Sequence, residues 1–172
     1  MGCSNLTAGF SLDCNDSQGG INKIYIGNGT VESITEVAGV ISAITVGGVA
    51  MVPTDFFAFE SPRQTASLTE TTTVSQENGT ISFDQQLSMV FNRMEATKRN
   101  ELLLMAEATN MVIIALDNNG IGWSIGIERG GYMTSGTSTS GTAYVDRNGY
   151  EIVIGGMEPK PMFEVATAIF MA

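Results

Sequence analysis

Few side chains in this sequence stand where they could do chemistry together. Asp117-x-Asn119 opens like a calcium loop, with oxygen ligands two residues apart. The remaining spacing and closing glutamate of such a loop do not follow. Cys3 and Cys14 are two thiols, too few for a four-thiolate zinc site. They read as free thiols or as one local disulfide. Asp13 and Asp16 flank Cys14 and read as solvated loop carboxylates. Glu60 and Glu70 make an acid–base pair only if the fold happens to join them. The chain contains no histidine, which excludes Ser-His-Asp and Cys-His catalysis and every His-ligated metal. There is no phosphate-cradling Walker loop, no dinucleotide fingerprint after a strand and no Cys-x-x-Cys. The expectation is a protein that is not an enzyme, with no cofactor and no metal.

What the sequence does place in order is a row of hydroxyls. Residues 65–91, TASLTETTTVSQENGTISFDQQLSMVF, carry Asn78-Gly79 at their centre, the preferred pair for a two-residue hairpin turn. With Glu77 set opposite Thr80, Val74 faces Phe83, Leu68 faces Met89 and Ala66 faces Phe91. The opposite face then carries Thr69, Thr71, Thr73, Ser75 and Glu77 against Ser88, Gln86, Asp84, Ser82 and Thr80. Side chains alternate along a strand, so this register sorts both arms into an apolar and a polar side. Glu70, Thr72, Gln76 and Gln85 dilute the apolar one. Each arm runs roughly 12 residues, about 40 Å, twice the usual strand length. A ribbon of that length bends or reaches beyond its own domain.

Composition narrows the class. A chain of 172 residues with 43% hydrophobic content forms one domain, 1–172, with a core. Abundant Gly, Thr and Ser and repeated Asn-Gly pairs are a β-rich, turn-rich vocabulary. The net charge is −10, and the eight basic residues are dispersed. Without a basic patch, ordinary nucleic-acid binding is not expected. The start, MGCSNLTAGF, has neither the basic run nor the apolar core of a secretory leader. Leu6 occupies the position where a myristoylation signal wants Ser or Thr. No segment approaches the ~20 apolar residues of a membrane span.

Taken in order, residues 1–20 are polar and Gly-rich without a clear period. They read as an N-terminal arm that is loose, or that orders on a neighbouring subunit through Leu6, Phe10 and Leu12. Strands are expected at Ile21–Ile26, Thr30–Thr35, Val37–Val46 and Val49–Val52, with turns at Asn28-Gly29 and Gly47-Gly48. Phe56, Phe57 and Phe59 are core aromatics or a patch buried between subunits. Residues 95–108 form the one convincing helix, with Leu102, Met105, Ala106 and Thr109 on one face and Leu103 and Leu104 widening it. Met111–Leu116 and Ile121–Ile127 form a hairpin containing Trp123. Residues 130–141 read as a Gly/Ser/Thr loop carrying Tyr132, either flexible on the surface or ordered only in an assembly. A last hairpin, Thr142–Arg147 with Tyr150–Ile154, turns at Asn148-Gly149, and Phe163–Phe170 is a final strand.

Three stretches together, LDCNDSQGGINKIYI (Leu12–Ile26), TASLTETTTVSQENGTISFDQQ (Thr65–Gln86) and SGTSTSGTAYVDRNGYEIVI (Ser135–Ile154), resemble the tail tube proteins of tailed bacteriophages, and more narrowly structural proteins of phages of Bacteroidota. That resemblance implies a mainly β fold with one helix, two packed antiparallel sheets in a sandwich or barrel, and a long β-hairpin. It implies hexameric rings stacked into a hollow tube in the virion tail, after synthesis in the host cytoplasm. The hairpins of six subunits would join into one barrel, with Thr69, Thr71, Thr73, Ser75, Glu77, Thr80, Ser82, Asp84, Gln86 and Ser88 facing the lumen. Implied partners are further copies of the chain and tail sheath, tape measure and tail terminator proteins. DNA would pass in transit without specific binding, and no membrane is involved. The competing expectations are a head decoration or auxiliary capsid protein, and a ligand- or carbohydrate-binding β-sandwich.

Overall fold

The computed structural model describes residues 6–171. Twelve strands and one helix follow in order: β1 (Ile21–Asn28), β2 (Val31–Val37), β3 (Val40–Val46), β4 (Val49–Ala50), β5 (Phe56–Glu60), β6 (Ser67–Ser75), β7 (Thr80–Asn92), α1 (Ala96–Glu107), β8 (Met111–Asp117), β9 (Gly122–Ile125), β10 (Tyr132–Thr139), β11 (Gly149–Glu158) and β12 (Glu164–Val165). They form two open sheets. The first runs β2-β3-β12-β9-β8-β1-β5, with β4 also on β3, and the second runs β10-β11-β7-β6. Pairing is antiparallel except for the short β12–β3 contact. The architecture is the expected mainly β fold with two packed sheets and one helix. Neither sheet closes into a barrel.

The layers pack because their strands alternate. Ile24 and Ile26 of β1, Ile113 and Ala115 of β8 and Ile125 of β9 meet Leu87 and Met89 of β7 and Ile152 and Ile154 of β11. The other face of the first sheet is buried as well. Val112, Ile114 and Leu116 of β8 pack with Ile41, Ile44, Val165 and Phe170. Covered on both faces, β8 reads MVIIALD, a continuous apolar run instead of an alternation. Helix α1 packs on the sandwich through Met105, its one buried residue, with Leu102 and Ala108 half-buried beside it. Ala106 and Thr109, expected on that face, are exposed.

The hairpin keeps its expected faces but slides by two residues. Val74 pairs with Ile81, Leu68 with Leu87 and Ser75 with Thr80. Residues 76–79 form a four-residue loop instead of a two-residue turn, and Glu77 leaves the strand. A slip of two preserves the side of every remaining residue. Its cause is polar. Only this register sets Glu70 opposite Gln85, whose Nε2 donates to Glu70 Oε2 at 3.0 Å. The arms are unequal, nine residues in β6 and thirteen in β7.

Three other expectations are corrected. Residues 130–141 are not a loop, because most of them form β10, paired with β11, and Tyr132 opens that strand. Thr142–Arg147 is not a strand. Asp146 accepts from the amides of Thr142 and Ala143, curling the segment, and Asn148 accepts from Arg93 and Met94 beyond the end of β7. β11 therefore pairs with β7 along its whole length, a non-local partner in place of the local hairpin. Phe163–Phe170 shrinks to the two-residue β12 and a 3-10 turn, Thr167–Ile169, that buries Ile169.

One buried amide joins the layers. Gln85 is 2% exposed. Its Oε1 accepts from Gly126 N, just past the end of β9 in the first sheet, at 3.0 Å, while Glu70 Oε2 also accepts from Met162 N at 2.7 Å. Gly126 has φ +64°, and a Cβ there would strike the Gly131 backbone, so no side chain fits. Gln85→Leu strands the Gly126 amide and one Glu70 contact, and should cost about 2–3 kcal/mol in urea unfolding. Gln86→Leu, one residue away on the exposed face, should cost under about 0.5 kcal/mol. Equal losses would remove the bridge from the account of stability.

Candidate functional site: the open face of the second sheet

The outward face of the second sheet is built by pairing. Ser67, Thr69, Thr71, Thr73 and Ser75 of β6 stand opposite Ser88, Gln86, Asp84, Ser82 and Thr80 of β7. All are exposed or half-buried. Nine of the ten expected face residues thus share one surface, and Glu77 sits at the exposed hairpin tip. The register carries the face onward through Glu151, Val153, Gly155 and Met157 of β11 and Ser135, Thr137 and Thr139 of β10. Sequence reasoning missed that half. TSGTST has hydroxyls on both faces, so no alternation marks it as a strand; its threonines, good strand formers, were the only signal.

Charge on this surface is sparse. Asp84 accepts a hydrogen bond from Gln86 Nε2 at 3.1 Å, and Glu151 is paired with Arg147 at 2.7 Å. The rest is hydroxyl, amide and methyl. Both lateral edges of the sheet, β6 and β10, have one strand partner only. The hairpin tip runs past β11, whose pairing with β7 stops at Phe83, leaving Val74 and Ile81 exposed.

The other chemically suggestive residues are occupied. Glu60 pairs with Lys23 at 2.8 Å while Glu70 serves the inter-layer bridge, so they do not form a carboxylate pair. Asp117 Oδ1 accepts from Asn119 N and Ile121 N, both at 2.8 Å, and Oδ2 from Asn119 Nδ2 and Trp123 Nε1. Its oxygens point at donors, not at an open cation position. Among the described residues no group of three or more His, Cys, Asp or Glu gathers as a metal site. Asp13, Cys14 and Asp16 are exposed, and Cys3 lies outside the described residues. Among the described residues no helix is long and apolar enough to cross a membrane.

No protein-family model matches the chain, and no curated protein matches it. Among solved structures, a chain from the virion of a native gene transfer agent particle is similar at a TM-score of 0.38 and 14% identity. The match covers 67% of this chain and 93% of that one.

Two carboxylates give opposite pH responses. Burial raises the Asp117 pKa, but the hydrogen bonds from Ile121, Asn119 and Trp123 outweigh it and hold the group below its ordinary value. Its stabilisation is present above the unfolded-state pKa and is lost as pH falls through the lower folded value. Burial pushes Glu158 up, against the amides of Arg129 and Glu128 that it accepts from. Its contribution is fullest in acid, below the unfolded-state pKa, and is lost as pH rises through the raised folded value. Urea midpoints measured against pH should separate the two. Asp117→Asn should be less stable than wild type at pH 7 and converge with it in acid below the ordinary carboxylate range. Convergence already near pH 6 would contradict this account.

Proposed function

We propose that this chain is a virion structural protein whose copies close into hexameric rings and stack into the hollow tail tube of a bacteriophage, through which DNA passes into the host. The observation that carries the reading is the second sheet: four strands, both edges open, one face in the core and the other a hydroxyl-rich surface. An even strand count has a consequence. β6 and β10 run in opposite directions, since each neighbouring pair in β6-β7-β11-β10 is antiparallel. Laying β6 of one copy beside β10 of the next by simple rotation about a ring axis therefore continues the antiparallel ladder. Closure would leave no lateral edge. Six such sheets give about 24 strands, and at ~4.8 Å spacing and ~40° tilt the backbone barrel is roughly 45–50 Å across. That is wide enough to pass a DNA duplex.

The lumen would be lined by Thr69, Thr71, Thr73, Ser75, Thr80, Ser82, Asp84, Gln86 and Ser88, with Ser135, Thr137 and Thr139 extending it. Such a wall is nearly neutral and offers phosphates no cationic hold, which suits transit without binding. A ring of six would carry about −60 in all, most of it off this wall, so repulsion of DNA is a weaker argument than geometry. The chain would act in the virion tail, without catalysis, beside sheath, tape measure and terminator proteins.

Negative-stain electron microscopy across a concentration series tests the reading. Hollow tubes or stacking six-fold rings are expected. A uniform monomer or trimer at every concentration, with or without a tail-initiator complex, would shift the assignment to a head decoration or auxiliary capsid protein. Hydrogen exchange gives a second readout: amides of β6 and β10 should gain protection on assembly, and unchanged protection would remove the edge-to-edge ring.

A further inference from the structure

Residues 6–16 are exposed throughout, and the one hydrogen bond they make is the local turn from Asp16 N to Cys14 O, yet they carry a pattern. In Leu6-Thr7-Ala8-Gly9-Phe10-Ser11-Leu12-Asp13 apolar and small polar residues alternate, so Leu6, Ala8, Phe10 and Leu12 share one side of an extended segment. The surrounding Gly-rich polar sequence hides this period. Leu6, Phe10 and Leu12 are fully exposed. Such a pattern belongs to a strand that has a sheet to join, and here the segment has none.

A matching vacancy lies on the first sheet. β5 is an edge strand, paired only with β1. Phe57 and Phe59 pair with Ile26 and Ile24, so they face the sandwich interior. Phe59 is covered, its ring 6.1 Å from that of Phe91, but Phe57 is 60% exposed. Beside them α1 presents Leu104, 59% exposed, and the two elements bound a groove of ≈ 650 Å³ lined by Phe57, Phe59, Leu104, Met105, Ala108 and Met111. Its single charged lining residue is Glu101. The one charge on this edge, Glu60, is paired within its own sheet with Lys23 and stands at the far end from Phe57, and an edge with an exposed phenylalanine invites a strand.

The arm and the groove sit at opposite ends of β1. Asn118 and Asn119 hold Gln18, Gly19 and Gly20 at the Ile21 end, whereas the groove includes Asn28, Phe56 and Met111 at the other. Eleven extended residues reach about 36 Å, more than the ~17 Å that five residues of β5 require.

We propose that the Leu6–Leu12 segment of one copy adds as a strand to the free edge of β5 in a second copy. Leu6, Ala8, Phe10 and Leu12 seat in the groove beneath α1, and Thr7, Gly9 and Ser11 face solvent. Strand addition of this kind takes affinity from main-chain hydrogen bonds and specificity from alternate side chains. The contact is heterologous, one end of a copy on the other end of the next, so it propagates instead of closing a dimer. It rests on the reading that copies of this chain stack, and it names what joins them.

The test is cross-linking between two full-length chains of different tag length, each with Cys3→Ser and Cys14→Ser. One carries Ala8→Cys, on the side that faces the groove, and the other Glu101→Cys in the groove lining, and a short bis-maleimide is added at the concentrations of the microscopy series. A mixed dimer is expected. Phe10→Asp in the first chain should lower its yield about tenfold or more, the effect of losing one buried aromatic anchor, while Thr7→Asp leaves it unchanged. Phe10 is fully exposed in the single chain, so its replacement does not threaten folding. Absence of the mixed dimer, a yield indifferent to Phe10→Asp, or only an intrachain loop when both cysteines share one chain would each overturn the proposal. Tubes without the cross-link would retire the arm contact and leave the tube reading standing. The cross-link without tubes would do the reverse.

Discussion

The two layers are held in one alignment by a hydrogen-bonded amide inside an apolar interface. Aliphatic contacts within the cluster that holds Leu87, Ile113, Ile125 and Ile154 are non-directional, and a small slide between sheets would cost them little. Gln85 does not tolerate a slide. Buried at both ends, it is favourable only when Glu70 accepts its Nε2 and Gly126 donates to its Oε1. Glu70 in turn receives the Met162 amide, so one cluster ties β6, β7, the loop after β9 and the segment before β12. Gly126 and Gly156 allow close approach beside it, since a Cβ on Gly156 would meet Gly126 Cα at 2.9 Å. The same cluster selects the hairpin register, and with it which residues stand opposite one another on the outward face.

Much of this fold was legible where partners are near in sequence. β1, β3 and β8 announce themselves by Ile and Val content, the turns after Asn28 and Val46 by Asn-Gly and Gly-Gly, and α1 by an unbroken run of helix formers. The two faces of the β6–β7 hairpin were legible because a period-2 pattern fixes sides even when the offset is wrong. The offset itself was not. Asn78-Gly79 suggested the tightest turn, but Glu70 and Gln85 looked like flaws in an apolar row because their further partners, Gly126 and Met162, are distant in sequence. β10 was hidden by having hydroxyls on both faces, and its partner β11 pairs over its full length with β7, which no local pattern reveals. The face residues were therefore found on β6 and β7 and missed on β10 and β11.

The sheet edges differ in how they are treated, and the difference bears on function. At the far edge of the first sheet, β2 reads VESITEV. Glu32 and Glu36 stand exposed there, accepting from the amides of Gly48 and Gly39. Charge on an edge discourages pairing with another chain. The second sheet has no such guard. β10, YMTSGTST, carries no charge, and the only charged residue of β6, Glu70, points inward to Gln85. Two long edges of opposite direction, uncharged and free of proline, would be an aggregation hazard in a protein that worked as a monomer. They are consistent with a sheet meant to be continued by its own copies. Under the proposed ring, β2 with its exposed carboxylates is an edge that stays unpaired, whereas β6 and β10, without an outward carboxylate, are the edges that neighbouring copies would continue.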